Sequence, residues 1–349
     1  MIIITAGGTG GHIIPAQAFA DNLIRRGDQV FFIGGKLDEN SYFDRNRFPF
    51  AKVSCSSFSW RSPWKACVGI YAILRGFFEA KRLLKKLKPR TVVGFGSYHT
   101  LPVILAARWL KIPLILHEGN SIPGRVNRFA SRFANMTGVH FPEAKRHLKG
   151  PCEEVPLPHK KDRISIPQDD SRTHFSLKQG TTTLLILGGS QGANVLNEIV
   201  PQALAKWKED KQVIHLAGRD GKIDWLKAFY EEQGIAHCVL PFCSEMEFAW
   251  QAADLVIARS GAATLAEMEL YGVPGVLIPY PQAMDNHQWH NARYLEKLGG
   301  AVVLEQKKLN PDKLGEILEQ LFQRRYEMRN ILLEQSRSRQ KISLEEFVS

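Results

Sequence analysis

The sequence predicts an α/β protein with parallel sheets, organised as two domains. Three observations carry that expectation. Short apolar runs alternate with helical stretches along the chain, the pattern of parallel strands covered by helices on both faces. Two glycine-rich turns, Gly7-Gly8-Thr9-Gly10-Gly11-His12 and Gly188-Gly189-Ser190-Gln191-Gly192-Ala193, each follow such a run and precede a helical pattern. Between them, Pro151, Pro156 and Pro158, then a polar stretch from Lys160 to Thr183, mark a break.

Ile2-Ile3-Ile4 reads as the first buried strand, and Val30-Phe31-Phe32-Ile33 as the next. Thr91 to Phe95 and Pro113 to His117 are further strands, with a helix from Leu101 to Leu110 between them. In the second half, Leu184 to Leu187, Gln212 to Leu216, Leu255 to Ala258 and Gly275 to Pro279 are strands. Ala262 to Tyr271 is a helix, and Lys313 to Ser349 is helical and rich in Arg and Glu.

Composition narrows the class. The chain has 349 residues, 44% of them hydrophobic and 23% charged, as in an ordinary globular protein. No apolar run reaches the roughly 18 residues of a membrane span. Met1 to Thr5 has no basic region or cleavage site, so it reads as a strand and the protein is expected in the cytoplasm. Cys55, Cys67, Cys152, Cys238 and Cys243 show no paired spacing, which argues against a disulfide framework or a zinc site. His287 and His290 have a metal-compatible spacing but no third ligand near them, so no metal is expected. The net charge of +11 favours anionic partners: phosphorylated metabolites, an acidic membrane surface or nucleic acid. Nucleic acid is the weakest of these, because no zinc-finger spacing or RNP-type aromatic motif is present.

The glycine turns suggest anion binding. Bare backbone N–H groups at a helix start carry about half a positive charge from the helix dipole. Neither turn is a P-loop, since no Lys followed by Ser or Thr closes it. Neither fits NAD: the third-glycine position of the first holds Ile13, and the next strand ends in Gly34-Gly35-Lys36 with no carboxylate. The alternative is that the glycines only permit tight strand–helix packing. A third strand–turn–helix, Ala258-Arg259-Ser260-Gly261-Ala262-Ala263-Thr264-Leu265-Ala266-Glu267, can also approach a phosphate closely. Glu267 can accept two hydrogen bonds from a ribose diol, or merely complement the helix dipole. Asp285-Asn286-His287-Gln288-Trp289-His290-Asn291 is dense in amides and imidazoles, which suits sugar hydroxyls or a polar helix cap.

Together these segments resemble the MurG glycosyltransferases, which add N-acetylglucosamine to a lipid-linked muramyl-peptide precursor in peptidoglycan synthesis. The matching pieces are TAGGTGGHIIPA, GFGSY, IPLILHEGN with NRFAS, LGGSQGANVLN, RSGAATLAE, GVPGVLIPYP and DNHQWHNA, in the family's order from Thr5 to Ala292. The resemblance implies a GT-B fold of two Rossmann-like domains flanking a cleft. The domains are expected at 1–158 and 159–325, with a final helix from about 326 to 349 packing back on the first. It implies UDP-N-acetylglucosamine as donor and an undecaprenyl-diphosphate-linked muramyl-pentapeptide as acceptor, with no cofactor. Carried over, Ser190, Gln191 and the run Gly261, Ala262, Ala263, Thr264, Leu265 and Ala266 meet the diphosphate. The backbone around Phe242 and Cys243 frames the uracil, Glu267 holds the ribose, and His287, Gln288 and Asn291 touch the sugar. Thr9, Gly10, Gly11 and Asn120 close over the reacting end. The chain departs from the family at Gly119, where HEGN replaces HEQN, and at His287, the first of the family's usual glutamine pair. It departs again at Lys160, which stands where the family has an arginine and keeps the charge without the bidentate fork. His99, in the glycine-rich GFGSYHTLP loop, has no account from sequence.

The implied reaction needs a base and a stabilised leaving group. His12 is the first candidate base, because its ordinary pKa near about 6.5 suits neutral pH. Glu118 is the second; His12 could instead cap the helix or position the acceptor diphosphate. The helix starts after Gly192 and Gly261 are the candidates for stabilising the leaving diphosphate, without a catalytic metal. The lipid acceptor places the protein at the cytoplasmic face of the plasma membrane. The segment from Phe58 to Lys88 suits an anionic surface, with Trp60, Trp64, Val68, Tyr71, Leu74, Phe77 and Phe78 beside Lys65, Arg75, Lys81, Arg82, Lys85, Lys86 and Lys88. An ordinary core-packing helix with a basic outer face fits that pattern equally. Other readings are another UDP-sugar GT-B enzyme, such as a glycolipid glycosyltransferase or a UDP-N-acetylglucosamine epimerase, or an inactive nucleotide-sugar-binding subunit.

Overall fold

A computed structural model describes residues 1–56, 63–159, 165–189, 192–219, 221–339 and 342–348, with the helical backbone alone at 63–66. The chain divides into two compact units, Met1–Asp162 with Arg339–Ser349, and Arg163–Ser338.

In the first unit the elements run β1 (Ile2–Thr5), α1 (Gly10–Arg25), β2 (Val30–Gly34), β3 (Phe50–Lys52) and α2 (Pro63–Leu87). They continue with β4 (Thr91–Gly94), α3 (Leu101–Trp109), β5 (Leu114–Glu118), α4 (Arg125–Ala130), β6 (Met136–Val139) and β7 (Cys152–Glu154). The strands are ordered β3-β2-β1-β4-β5-β6-β7 and pair in parallel, with Ile3 of β1 opposite Phe31 of β2 and Val92 of β4. Strands buried on both faces read as unbroken apolar runs. Here Ile2 and Ile4 pack with Phe19 and Leu23 of α1 on one face, while Ile3 packs with Ala80 and Leu84 of α2 and Val103 of α3 on the other.

The second unit repeats the plan. It holds α5 (Gln168–His174), β8 (Thr182–Leu187), α6 (Asn194–Lys206), β9 (Lys211–Leu216), α7 (Ile223–Glu232), β10 (Ala236–Leu240) and α8 (Met246–Ala252). It ends with β11 (Leu255–Ala258), α9 (Ala262–Tyr271), β12 (Gly275–Leu277), α10 (His287–Leu298), β13 (Ala301–Val303) and α11 (Pro311–Arg339). The order β10-β9-β8-β11-β12-β13 is again parallel throughout. Its core joins Leu184 and Ile186 of β8 to Leu196 and Val200 of α6, Tyr230 of α7 and Leu314 and Leu318 of α11.

The return to the first unit starts later than position 326. Met328 belongs to the second unit's core, and Leu332 and Leu333 lie against Gly300 and Gly272 of the same unit. The segment from Arg339 onward belongs to the first unit, where Leu344 and Val348 enter the core beside α1.

Candidate functional site

Each sheet has one place where the chain reverses its direction of travel. From β1 it moves outward to β2, and from β4 the other way to β5. From β8 it moves to β9, and from β11 to β12. Ligands of open α/β sheets bind outside the C-terminal strand ends at such points. The turns Gly7–Gly11 and Gly96–Thr100 flank the first crevice. Gly188, Gly189 and Gly192 and the turn at 259–264 flank the second. A separate cavity of about 510 Å³ lies between the end of α6 and the start of α11, lined by Trp207, Glu316 and Glu319. It sits at the N-terminal strand edges, the wrong end for this rule.

In the first unit, Thr9 is the N-cap of α1 in an extended conformation, and its side chain makes no capping bond. The N–H groups of Gly10 and Gly11 therefore receive no partner from the cap. Gly8 turns the chain with φ of +84°, and its carbonyl accepts from Asn40 Nδ2 at 2.7 Å. His12 sits half-buried one turn into α1, with Nδ1 3.4 Å from Thr9 Oγ1. A side-chain carbon on Gly96 would lie 3.5 Å from His12 Cδ2, so the imidazole reaches the β4 turn.

Glu118 is in a different situation. It is buried at the end of β5, and its carboxylate accepts four hydrogen bonds: from Asn120 N at 2.9 Å, Asn120 Nδ2 at 3.3 Å, Gly124 N at 2.9 Å and Asn127 Nδ2 at 3.0 Å. Burial raises its pKa, and the hydrogen bonds work against that rise. Those bonds fold the 119–124 loop and bring Asn120 beside the strand end. A carboxylate so occupied organises the loop and presents no lone pair to a substrate proton. Gly119, where the family has an amide, lies inside this loop, whose closure runs through Glu118 and needs no side chain at 119.

His99 also finds its account. A side-chain carbon on Gly7 would come within 2.4 Å of His99 Cβ, and one on Gly35 within 3.1 Å of His99 Cδ2. The ring fills the space these two glycines leave. Its Nδ1 lies 2.9 Å from Ser97 Oγ, and Gly35 N donates to its carbonyl at 3.1 Å. Ser97 itself has φ of +75° and ψ of 150°, a region natural only to glycine and costing about 1–3 kcal/mol.

In the second unit the polar side chains face inward. Gly261 is the N-cap of α9, no side chain caps that helix start, and a carbon added to Gly261 would meet nothing within 4 Å. The first N–H groups of α9, from Ala262, Ala263 and Thr264, thus receive no cap side chain, and the space beside Gly261 is clear. Leu265 is buried and anchors the turn, Ala266 and Glu267 are half-buried, and Glu267 lies in the second turn of the helix. Arg259 braces the turn: its guanidinium donates to Ile278 O at 3.0 Å and Gln306 Oε1 at 2.7 Å, tying the turn to the neighbouring strand ends.

The α10 residues divide by exposure. Asp285 and Asn286 both hold left-handed backbone, with φ of 50° and 53°, just before the helix. His287 is half-buried with Nδ1 at 2.8 Å from Met284 O. Gln288 Oε1 accepts from Tyr280 N at 2.9 Å, and its backbone carbonyl accepts from Ser260 Oγ at 2.8 Å. Asn291 is expected to touch the sugar, yet it is 0% exposed and its Nδ2 donates to Ser260 O at 3.3 Å. It holds the β11–α9 turn from beneath. Cys243 is likewise buried, with its thiol pushed up by that burial, while Phe242 beside it is exposed.

The turn after β8 starts α6 the same way, with Ala193 as a cap lacking a side-chain bond. Gly189 and Gly192 take φ of +82° and +75°. Ser190, Gln191 and Lys160 lie outside the described residues. The structure therefore brings Thr9, Gly10, Gly11, His12, Glu118 and Asn120 to the first unit's crevice. It brings Gly261 through Glu267, His287 and Gln288 to the second's.

Comparison with known proteins agrees with this architecture. The sequence matches the glycosyltransferase family 28 N-terminal domain over residues 2–139 and the family 28 C-terminal domain over 183–343. It is 42% identical over 312 residues to a UDP-N-acetylglucosamine–N-acetylmuramyl-(pentapeptide) pyrophosphoryl-undecaprenol N-acetylglucosamine transferase of Protochlamydia amoebophila, covering 87% of this chain and 83% of that one. A protein of the same name from Halothermothrix orenii is 36% identical, covering 92% and 90%. Among solved structures, Acinetobacter baumannii MurG superposes with a TM-score of 0.75 at 30% identity, covering 98% of this chain and 95% of that one. Os79 from O. sativa in complex with UDP reaches a TM-score of 0.71 at 12% identity over 98% of this chain and 96% of its own, a likeness of fold alone.

Proposed function

Because this chain belongs to the MurG family of glycosyltransferases, we propose that it transfers N-acetylglucosamine from UDP-N-acetylglucosamine to a lipid-linked N-acetylmuramyl-pentapeptide in peptidoglycan synthesis. The observation that carries the donor half is the start of α9. Three N–H groups without a side-chain cap start the helix beside the β8–β11 crevice, and the clear space at Gly261, with nothing but hydrogen there, lets a diphosphate approach them. Fixed dipoles of this kind stabilise a departing anion without reorganising. Glu267, in the second turn of the same helix, is within reach of a ribose whose diphosphate sits at its start.

The reaction is one inverting displacement. The 4-hydroxyl oxygen of the muramyl sugar forms a bond to the anomeric carbon on the face opposite the diphosphate. The anomeric carbon–oxygen bond breaks, and UDP leaves with the electron pair. The hydroxyl proton passes to a base, and His12 takes it. Its imidazole is half-buried, not enclosed, and stands at the strand end where Thr9 and the β4 turn meet it. Glu118 keeps the 119–124 loop folded and so places Asn120. No step needs a metal: the leaving charge is met by the helix starts.

The acceptor is lipid-linked, so the protein works at a membrane surface on the cytoplasmic side. No helix of the described residues is long and apolar enough to cross a membrane. Support comes instead from α2 and α3. Val68, Tyr71, Leu74 and Phe78 are exposed along one stripe of α2, and Trp109 of α3 extends it, with Lys81 Nζ 4.7 Å from the Trp109 ring centroid. Arg75, Arg82, Lys85 and Lys86 border the stripe. Trp60, Trp64 and Lys65 fall outside the described side chains. An apolar stripe with a cationic border fits an anionic headgroup layer.

The deciding experiment incubates the purified chain with labelled UDP-N-acetylglucosamine and a short-chain lipid-linked muramyl-pentapeptide, with and without EDTA. Transfer that survives EDTA is expected. Transfer lost to EDTA and restored by a divalent ion overturns the metal-free mechanism, and absence of transfer despite UDP-sugar binding overturns the acceptor.

A further inference from the structure

Beneath the β8–α6 turn lies a buried polar chain to which the reaction assigns no role. The Tyr230 hydroxyl of α7 is 3.0 Å from His215 Nδ1 of β9. His215 Nε2 is 3.0 Å from Asn197 Oδ1 of α6, and Asn197 Nδ2 donates to Ala217 O at 2.9 Å. Tyr230 and His215 are 0% exposed and Asn197 is 4% exposed. The bond directions are mutually dependent. Asn197 can give its amide N–H to Ala217 only with its oxygen toward His215. That oxygen needs a proton on Nε2, which leaves Nδ1 as an acceptor for the tyrosine hydroxyl. Burial holds the imidazole neutral, with its pKa lowered to about 3, so the single proton stays where this arrangement wants it.

The chain ends on backbone that touches the glycine turn. A side-chain carbon on Gly192 would lie 2.6 Å from Ala217 O and 3.0 Å from Gly218 Cα, so the two backbones are in direct contact. Gly192 and Gly218 both hold positive φ, +75° and +86°. Moving the Ala217 carbonyl moves Gly192, and Gly192 lies immediately before the α6 cap.

We propose that Tyr230, His215 and Asn197 form a one-way hydrogen-bond relay that sets the Ala217–Gly218 backbone against Gly192 and thereby fixes the start of α6 for the donor diphosphate. They are positioning residues. The proposal rests on the reading of the β8–α6 turn as part of the UDP-sugar site. If the Tyr230 hydroxyl is lost, His215 can move its proton to Nδ1. Asn197 must then turn its amide over and point its oxygen at the Ala217 carbonyl, which pushes the turn away.

The test is Tyr230→Phe, nearly isosteric, beside Leu226→Val, which trims the same core on the same helix and leaves the relay intact. UDP affinity by calorimetry, KM for each substrate, and Tm are measured for both and for the unaltered chain. Tyr230→Phe is expected to weaken UDP binding and raise the donor KM by roughly three- to tenfold, the worth of one buried hydrogen bond, with the acceptor KM unchanged. Leu226→Val is expected to lower Tm without moving the donor KM. Equal donor KM in Tyr230→Phe and the unaltered chain overturns the relay alone, as does an equal rise in both variants. An unaltered chain that binds no UDP overturns the donor site and the relay with it. Should Tyr230→Phe fail to fold, nitrogen-15 spectra of the unaltered chain decide: a neutral imidazole protonated at Nε2 is expected, and protonation at Nδ1 overturns the relay.

Discussion

The two crevices occupy equivalent places in equivalent sheets, yet they present opposite chemistry. At the β1–β4 crevice a half-buried imidazole, His12, and a buried carboxylate, Glu118, accompany the glycine turn. At the β8–β11 crevice Arg259, Ser260 and Asn291 turn inward to brace the backbone, and the helix start offers the amide N–H groups of Ala262, Ala263 and Thr264, with Glu267, His287 and Gln288 beside them. One scaffold thus supplies either a titrating group or a set of fixed dipoles, depending on which way the side chains after the strand point. In the proposed reaction, proton transfer calls for the first, and holding a diphosphate whose charge grows in the transition state calls for the second.

Removing the titrating group is the largest break of this contrast. His12→Ala is expected to lower turnover by about 10²- to 10⁴-fold while UDP affinity stays within about twofold. Steady-state kinetics with calorimetry reads both, and unchanged turnover removes His12 from the chemistry. The reverse exchange puts a charge among the dipoles. Gly261→Asp is sterically free, keeps an allowed φ of −67°, and supplies a good N-cap. It is expected to weaken UDP binding by roughly 10- to 100-fold through repulsion and blocked N–H groups, with Tm unchanged or slightly raised. A variant that binds UDP normally denies the α9 start its role.

The first unit also buries two neutral histidines, His117 and His140, and the second one, His215; burial lowers the pKa of His117 and His215 to about 3 and pushes that of His140 well down. The unfolded chain takes a proton on each below about pH 6.5, so this stability is complete above that pH and is lost as pH falls toward the folded values. At pH 5 the loss is on the order of 2 kcal/mol per histidine relative to pH 7. Urea unfolding at the two pH values measures it, and equal midpoints would contradict the buried neutral state. The smallest effects belong to the first unit's outer face. Lys85→Ala and Arg82→Ala are each expected to cost about 1 kcal/mol of binding to anionic vesicles and nothing with neutral ones. Sedimentation that ignores lipid charge would leave α2 as an ordinary surface helix.

Legibility in the sequence followed the physics of each element. Parallel strands buried on both faces leave continuous apolar runs, so Ile2–Ile4 and Leu184–Leu187 were readable without help. The glycine turns located both crevices because a missing side chain is itself a signal. The direction of a polar side chain is not. Asn291 and Gln288 sit in one polar stretch, yet the helix turns Asn291 into the core beneath Ser260, and only the packed neighbours decide that. Glu118 looks like a free carboxylate until four donors from 120, 124 and 127 close on it. Trp109 carries no signal of its own in sequence, because it ends an otherwise apolar, largely buried helix, and its exposure is decided by packing. His99 needed the spatial meeting of Gly7 and Gly35, which lie far from it in sequence. In α11 the apolar spacing announces a helix but does not say which unit it serves, hence the return at Arg339 and not near 326.

That late return has a consequence for how the protein is made. The first unit is discontinuous: its core is finished by Leu344 and Val348, with Glu345 Oε1 accepting from Asn22 Nδ2 at 2.7 Å and Arg26 donating to the carbonyls of Glu345 and Val348. The second unit, Arg163–Ser338, contains all of its own core. During synthesis the later unit can therefore complete its packing as soon as it leaves the ribosome, while the earlier one waits with an open seam along α1 until residues 342–348 emerge. The exposed apolar side chains of α2, Val68, Tyr71, Leu74 and Phe78, stand on that waiting half, which makes the interval before the final residues arrive the period when the nascent chain is most prone to stray contacts.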